Sequence, residues 1–275
     1  MTHVLLNGTL LPAERAMVPA LDRGLTQGLG LYETVKLTGH TPVFFEEHMD
    51  RLDKGLSALG LRLPETHVQM AADMVRLSRA ARVPDGACRV LVTGGPPRGR
   101  PTVLLQVEVR RFPDHPLRLI SHHSLRSAAD LKSKTFTTSY LAQQAAVAAG
   151  ADDALFVDQE GRAHEATTAN LFLYTQRHLV TPPLDGSILP GVIRGKVMRL
   201  AAADGIPVVE DHVLVRELTA LDTLLLTSSV RGIVVAASID DRQLNVEGDI
   251  RERLRGLLAG AEAESIERFR AAYGL

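Results

Sequence analysis

Apolar and polar residues follow a regular order in the first third of the chain, and this order predicts a sheet followed by two helices. Two largely apolar runs, Val4–Leu6 and Thr9–Leu11, flank Asn7-Gly8, which is the strongest short-range pattern for a β-hairpin. Residues 31–37 alternate as a half-buried strand does. Residues 46–59 and 66–81 instead carry apolar side chains at helical spacing, so we predict a helix over each range.

A proline-containing stretch near the middle of the chain predicts a domain boundary. Two further strands are predicted over 88–93 and 102–109, on either side of a cationic loop. Residues 111–116 follow and include two prolines, which resist both a helix and a central strand. We therefore predict an N-terminal α/β domain over residues 1–113, an interdomain linker over 114–120 and a C-terminal domain over 121–275.

The C-terminal part mixes helices and strands, which is typical of a protein with both α and β structure. Helices are predicted over 139–149, 192–204 and 250–273, and strands over 154–158, 162–165, 171–174 and 223–227.

Composition and charge point to a small-molecule partner. Lys and Arg total 31 against 32 Asp and Glu, which leaves a net charge of -1 and no basic field for a nucleic acid or an anionic membrane. The single cysteine, Cys88, cannot form an internal disulfide, and no signal peptide opens the chain, so we expect a cytoplasmic protein. His164-Glu165 begins like a zinc-protease motif, but Thr168 stands where the second histidine is required, so no metal site is predicted.

Several blocks of sequence, in the same order along most of the chain, resemble the class IV (fold type IV) family of pyridoxal-phosphate enzymes. These blocks are Asp22-Arg23-Gly24, Gly28 to Thr34, His48 to Leu52, Asp130 to Phe136, His164 to Phe172, Leu189 to Arg194 and Thr227 to Ile233. The family includes branched-chain and D-amino acid aminotransferases and aminodeoxychorismate lyases. The resemblance implies an N-terminal two-layer sandwich and a larger C-terminal domain that binds pyridoxal phosphate on a pseudo-barrel sheet.

The resemblance also implies which residues hold the cofactor. Lys132 is expected to form the Schiff base, and Glu165 to keep the ring nitrogen protonated so that the ring works as an electron sink. Lys134 is the rival lysine, but the spacing from Lys132 to Gly150 is the one that the family has. The remaining expected cofactor contacts are Arg51, Asn170, Gly191, Val192, Ile193, Ser228 and Ser229. Relatives often carry threonine where Ile193 stands, so its contact with the phosphate would come from the backbone alone.

The residues expected to determine substrate specificity do not decide between transamination and the lyase reaction. Branched-chain enzymes usually have a tyrosine shortly after the lysine, and here that stretch is Phe136-Thr137. Arg98 or Arg100 could bind a substrate carboxylate, as the arginine loops of both the D-amino acid enzymes and the lyases do, and Tyr32 is compatible with any of the three activities. Ser229-Val230-Arg231-Gly232 is closer to the lyase pattern.

We therefore expect an aminotransferase that acts on a small amino acid. The alternatives are an aminodeoxychorismate lyase that releases pyruvate and 4-aminobenzoate, and a pyridoxal-phosphate-binding protein without turnover. The resemblance further implies a homodimer whose active site lies between the domains and near the subunit interface.

Overall fold

The computed structural model describes residues 2–113 and 115–275, and the chain forms two compact units. Unit 1 contains the chain up to Arg111 together with Leu131–Thr135 and Ala261–Leu275. Unit 2 contains Phe112–Asp130 and Phe136–Gly260. The domain bounds drawn from the sequence stay a prediction, and they differ from these units chiefly in the two short segments that unit 1 includes.

Unit 1 is built on an antiparallel sheet of six strands. The strands are β1 (His3–Leu6), β2 (Thr9–Pro12), β3 (Gly30–Thr38), β4 (Thr41–Pro42), β5 (Gly86–Thr93) and β6 (Val103–Glu108), in the order β2-β1-β6-β5-β3-β4. The predicted hairpin forms, since Asn7 and Gly8 have φ angles of 49° and 75° and adopt the left-handed conformation that a tight two-residue turn requires.

One face of this sheet packs against helices and forms the core of unit 1. Unit 1 contains α1 (Arg23–Thr26), α2 (Phe45–Ala58) and α3 (His67–Ala81), and α2 and α3 contribute side chains to this core. Buried side chains of β3, such as Val35, meet Met49 and Leu52 of α2 and Met74 of α3 in a single cluster. The helix predicted over 66–81 begins at a capping box, in which Thr66 and the third helical residue bond reciprocally.

Unit 2 contains a barrel-like sheet. Its strands are β7 (Leu117–His122), β8 (Asp153–Val157), β9 (Arg162–Ala166), β10 (Asn170–Thr175), β11 (His178–Thr181), β12 (Val208–Glu210), β13 (Val213–Leu214), β14 (Thr223–Ser228), β15 (Gly232–Ile239) and β16 (Arg242–Gln243). Its helices are α4 (Thr137–Ala148), α5 (Val192–Ala203) and the first part of α6 (Asp249–Tyr273). The pairings run β10-β14-β15-β7-β8-β9, and β9 pairs again with β10, so these six strands close on themselves. The predicted mixed α/β fold with a pseudo-barrel sheet is confirmed.

Two barrel strands differ from the sequence prediction. β7 begins at Leu117, inside the predicted linker 114–120, because Leu117 and Leu119 alternate into the core and Pro116 precedes the strand, where proline is tolerated. The predicted linker residue Asp114 lies outside the described residues. β15 was not predicted at all.

In the described part of the chain, no helix is both long and apolar enough to cross a membrane.

Candidate active site

The segment that carries Lys132 lies along β3 in unit 1. The N–H of Tyr32 donates to the carbonyl of Lys132 at 3.0 Å, and the N–H of Lys134 donates to the carbonyl of Gly30 at 3.0 Å. These two bonds fix the main chain, and Nζ of Lys132 lies 4.7 Å from the centroid of the Tyr32 ring. Nζ of Lys134 instead donates to the carbonyl of Gly24. The ammonium of Lys134 is thus bound to main chain, and that of Lys132 lies over an aromatic ring.

A buried carboxylate, that of Glu33, lies on β3 one residue after Tyr32. Glu33 is 1% exposed and accepts hydrogen bonds from Nε and Nη2 of Arg51, each at 2.7 Å, and its Oε2 lies 2.8 Å from Nδ1 of His48. Burial alone would raise the pKa of Glu33, but the charge of Arg51 and the hydrogen bond from His48 hold it well below its ordinary value. Unit 1 thus fixes the guanidinium of Arg51 with a bidentate ion pair.

His48 completes this cluster as a neutral ring. Burial lowers its pKa, and the nearby charges of Arg51 and Lys132 act in the same direction, against the pull of Glu33. A neutral ring that donates from Nδ1 to Glu33 carries its lone pair on Nε2. That Nε2 atom is buried and has no hydrogen-bond partner within the described residues. Sequence reasoning gave Glu33 and His48 no role, although Glu33 occupies an inward position of β3 between Leu31 and Val35.

In unit 2 the carboxylate of Glu165 is held from three directions. Its Oε2 accepts from Nδ2 of Asn170 at 3.2 Å and from the N–H of Leu189 at 3.1 Å, and its Oε1 forms an ion pair with Arg126. Nδ2 of Asn170 also donates to the carbonyl of Leu189 at 2.9 Å. The structure thus brings together Glu165 and Asn170, both of which were expected as cofactor contacts, and adds Arg126, which sequence reasoning missed.

The start of α5 lies against the same asparagine. A Cβ on Gly191 would come 1.9 Å from Oδ1 of Asn170, so only glycine allows this approach. Gly191 is the N-cap and provides no side-chain bond, and the N–H groups of the first helical residues, Val192 and Ile193, point out of the helix end. Such an end favours an anion, because the helix dipole and the unpaired N–H groups act together.

Hydroxyl groups adjoin this helix start on β14. Thr227 pairs with Asn170 across the sheet, and its Oγ1 is buried without a hydrogen-bond partner among the described residues. Ser228 ends the strand and Ser229 begins the turn that follows. Unit 2 therefore gathers a carboxylate, an amide, a helix N-terminus and three small hydroxyls.

The predicted substrate residues lie in unit 1 in two different settings. Tyr32 is buried, and the guanidinium carbon of Arg89 lies 4.3 Å from the centre of its ring. Arg98 and Arg100 are exposed in the loop between β5 and β6, where Arg98 has a φ of 61°. The predicted role of the two loop arginines stays a prediction.

Comparisons with known proteins agree with the sequence resemblance. The model of the family "Amino-transferase class IV" matches residues 30–239. A Methanocaldococcus jannaschii protein, provisionally named a branched-chain-amino-acid aminotransferase, is 30% identical over 92% of this chain and 93% of its own length. A D-alanine aminotransferase of Bacillus licheniformis is 26% identical over 88% of this chain and 89% of its own. A crystal structure from Legionella pneumophila, provisionally named a 4-amino-4-deoxychorismate lyase, superposes with a TM-score of 0.84 at 29% identity, covering 91% of this chain and 97% of that one.

Proposed function

Because the chain belongs to the class IV aminotransferase family, a family of pyridoxal-phosphate-dependent enzymes, we propose that it is a transaminase that acts on a small amino acid through Lys132. The observation that carries this proposal is the bonding of the Lys132 main chain to β3, which holds the side chain against Tyr32. A lysine whose amine binds a cofactor must be held in position, and the main-chain bonds to β3 position Lys132.

The residues of unit 2 fit the two ends of pyridoxal phosphate. The phosphate requires several donors, and the start of α5, the buried Oγ1 of Thr227 and the hydroxyls of Ser228 and Ser229 can supply them. The ring nitrogen requires a carboxylate, and Glu165 is held in one orientation by Asn170 and the N–H of Leu189. Arg51, held by Glu33, is proposed as a further phosphate ligand, as the family resemblance implies.

The proposed residues have different tasks in the reaction. When bound, pyridoxal phosphate supplies an electron sink for the electron pair that remains when the Cα–H bond of the substrate breaks. Lys132 would bind the cofactor covalently at Nζ and later take up and return the substrate proton at the same atom. Glu165 would hold a proton on the ring nitrogen by ion pairing. Asn170 would keep that carboxylate from turning.

Lyase activity is the second candidate function. The Ser229-Val230-Arg231-Gly232 stretch and the 29% identity to the Legionella structure favour it, whereas the M. jannaschii and Bacillus licheniformis relatives favour transamination. The two reactions differ in their need for a second substrate, because transamination requires an oxo-acid acceptor and the lyase reaction requires none.

A two-part assay separates these candidates. The purified protein, reconstituted with pyridoxal phosphate, is incubated with a panel of L- and D-amino acids plus 2-oxoglutarate, and separately with aminodeoxychorismate alone. Conversion of 2-oxoglutarate to glutamate, with the small amino acid converted to its oxo acid, supports the transaminase. Release of pyruvate with 4-aminobenzoate supports the lyase. Cofactor binding without either product would leave only the binding-protein alternative.

We also propose that the enzyme is a homodimer. Large apolar side chains remain exposed on the single chain, including Leu21 and Leu25 of unit 1 and Tyr140, Leu141 and Val147 of unit 2. Exposed apolar groups of this kind favour a protein partner, and the family resemblance suggests a second copy. Light scattering coupled to size exclusion should give twice the 29.8 kDa chain mass, and a mass of one chain would contradict the proposal.

A further inference from the structure

Arg231 lies in the turn that joins β14 to β15, two residues after Ser229. Ser228 pairs with Gly232 as the last pair of this hairpin, so residues 229–231 form the turn itself. The guanidinium carbon of Arg231 lies 5.4 Å from the centre of the Phe112 ring. The arginine is thus covered on one side by an aromatic ring.

Two donors of this arginine are buried without an acceptor. Neither Nε nor Nη2 of Arg231 has a hydrogen-bond partner among the residues that the structure describes. An arginine cannot escape this situation by losing its proton, and a buried charged donor that stays unpaired costs more free energy than a neutral one. The described residues thus leave this edge of the guanidinium open to an acceptor from outside the chain.

The two aspartates whose charges act on Arg231 accept hydrogen bonds from other groups. Oδ1 of Asp153 accepts the hydroxyl of Thr167 at 2.6 Å and the N–H of Ala154 at 2.8 Å. Oδ2 of Asp152 accepts the N–H of Arg118 at 2.8 Å. Burial lowers the pKa of Arg231, and the charges of both aspartates oppose this only from a distance. They moderate the field at the guanidinium without bonding to it.

The position of Arg231 connects it with the Glu165 group. β7, β8 and β15 are mutually parallel, and all three begin at the barrel end that carries Arg231. β14 ends and β10 begins at the same end of the barrel. There, Asn170 of β10 pairs with Thr227 of β14 on one side and with Glu165 of β9 on the other. The unpaired guanidinium and the carboxylate–amide pair therefore occupy one end of one barrel.

We propose that Arg231 binds an oxyanion through Nε and Nη2 at this end of the barrel. These two atoms form one edge of the guanidinium fork, which matches the two oxygens of a carboxylate or a phosphate. The anion is the substrate carboxylate or the cofactor phosphate. This assignment of a role to Arg231 rests on the proposed function, since that function supplies both anions.

The test compares Arg231→Gln, Arg231→Lys and a matched control, Arg242→Gln, which changes an exposed arginine of unit 2. Two affinities are measured for each protein: that of the cofactor-free form for pyridoxal phosphate, and that of the cofactor-loaded form for succinate, a carboxylate that cannot react. A charged hydrogen bond contributes about 1.5–3 kcal/mol, so the affected affinity should fall roughly tenfold to a hundredfold in Arg231→Gln. Arg231→Lys should recover part of the loss, and Arg242→Gln should change neither value.

The two sources of the anion give different results. Weaker succinate binding with unchanged cofactor affinity identifies the substrate carboxylate, and weaker cofactor binding identifies the phosphate. If both affinities stay within twofold of wild type in both Arg231 variants, water satisfies the guanidinium and the inference is overturned.

A stability measurement keeps the test independent of the proposed function. Without any anion, Arg231→Gln should unfold at a temperature no lower than wild type, because the variant no longer buries an unpaired charge. Inorganic phosphate or succinate should then raise the unfolding temperature of wild type and Arg242→Gln but not that of Arg231→Gln. Wild type that binds no pyridoxal phosphate yet shows this Arg231-dependent stabilisation would refute the proposed function alone. An equal rise in all three proteins would refute the anion site.

Discussion

Replacement of Glu33 by glutamine tests whether the buried cluster of unit 1 is held together by charge. The glutamine side chain keeps the shape of Glu33 but is neutral and has one acceptor oxygen, whereas the carboxylate accepts two bonds from Arg51 and one from His48. Removing one partner of a buried ion pair costs about 3–5 kcal/mol. The side chain of Arg51 is 14% exposed, so water can take over part of its charge, and we expect the lower end of that range.

The assay measures thermal unfolding of the cofactor-free protein. Circular dichroism monitors the transition, because the chain has no tryptophan. A loss of about 3 kcal/mol should lower the unfolding midpoint by roughly 6–12 °C for a protein of this size. Glu14→Gln, at an exposed position, is the control and should stay within about 0.5 kcal/mol of wild type. A loss below about 1 kcal/mol in Glu33→Gln would refute the account of the cluster.

The pH dependence of the same experiment has a fixed sign. The folded pKa of Glu33 is lowered, so its stabilisation is present above its ordinary pKa of 4.5 and is lost as the pH falls toward the folded value. The pKa of His48 is also lowered from 6.5, so below that pH the unfolded chain takes up a proton that the folded chain does not, and stability falls further. Wild type should therefore lose part of its advantage over Glu33→Gln as the pH falls from about 5 to about 3, and the rest at still lower pH. A difference that stays constant over this interval would contradict the charge-based explanation.

Three further outcomes follow from packing and burial. Gly191→Ala should lower the free energy of unfolding by about 1–3 kcal/mol and weaken cofactor binding, because its Cβ would overlap Asn170; denaturation and cofactor titration curves equal to wild type would contradict this. Phe45→Ala should cost about 3–5 kcal/mol in chemical denaturation, since its ring is buried 5.4 Å from that of Phe269, and a loss below about 1 kcal/mol would exclude that role. Burial raises the pKa of the Cys88 thiol to about 12, so a thiol reagent at pH 8 should label only the unfolded protein; rapid labelling of the native protein would show that the thiol is accessible.

Local patterns predicted the elements of the fold better than the closure of the sheet. The hairpin at Asn7-Gly8 and the helix capped by Thr66 follow from residues a few positions apart, and both were predictable. β15 is a run of mostly apolar residues after Gly232 without a clear alternation, and such a run does not reveal its secondary structure by periodicity.

The site was predictable as a set of blocks but not as a set of contacts. The ion pair between Arg126 and Glu165 joins residues 39 positions apart, and no local pattern indicates it. Glu33 did leave a sign in the sequence, because it interrupts the apolar face of β3, and a charge at an inward position requires a partner. The two unpaired donors of Arg231 became visible only with the structure, since burial of single atoms has no sequence pattern.

The most direct test of the central claim is to identify the lysine that binds the cofactor. The protein is loaded with pyridoxal phosphate, reduced with borohydride to make the attachment permanent, digested and mapped by mass spectrometry, with Lys132→Ala and Lys134→Ala treated in parallel. The account predicts a phosphopyridoxyl group on the peptide that contains Lys132, present in wild type and Lys134→Ala and missing from Lys132→Ala. A modified peptide at Lys134, or no modified peptide in a wild-type protein exposed to saturating cofactor, would contradict it.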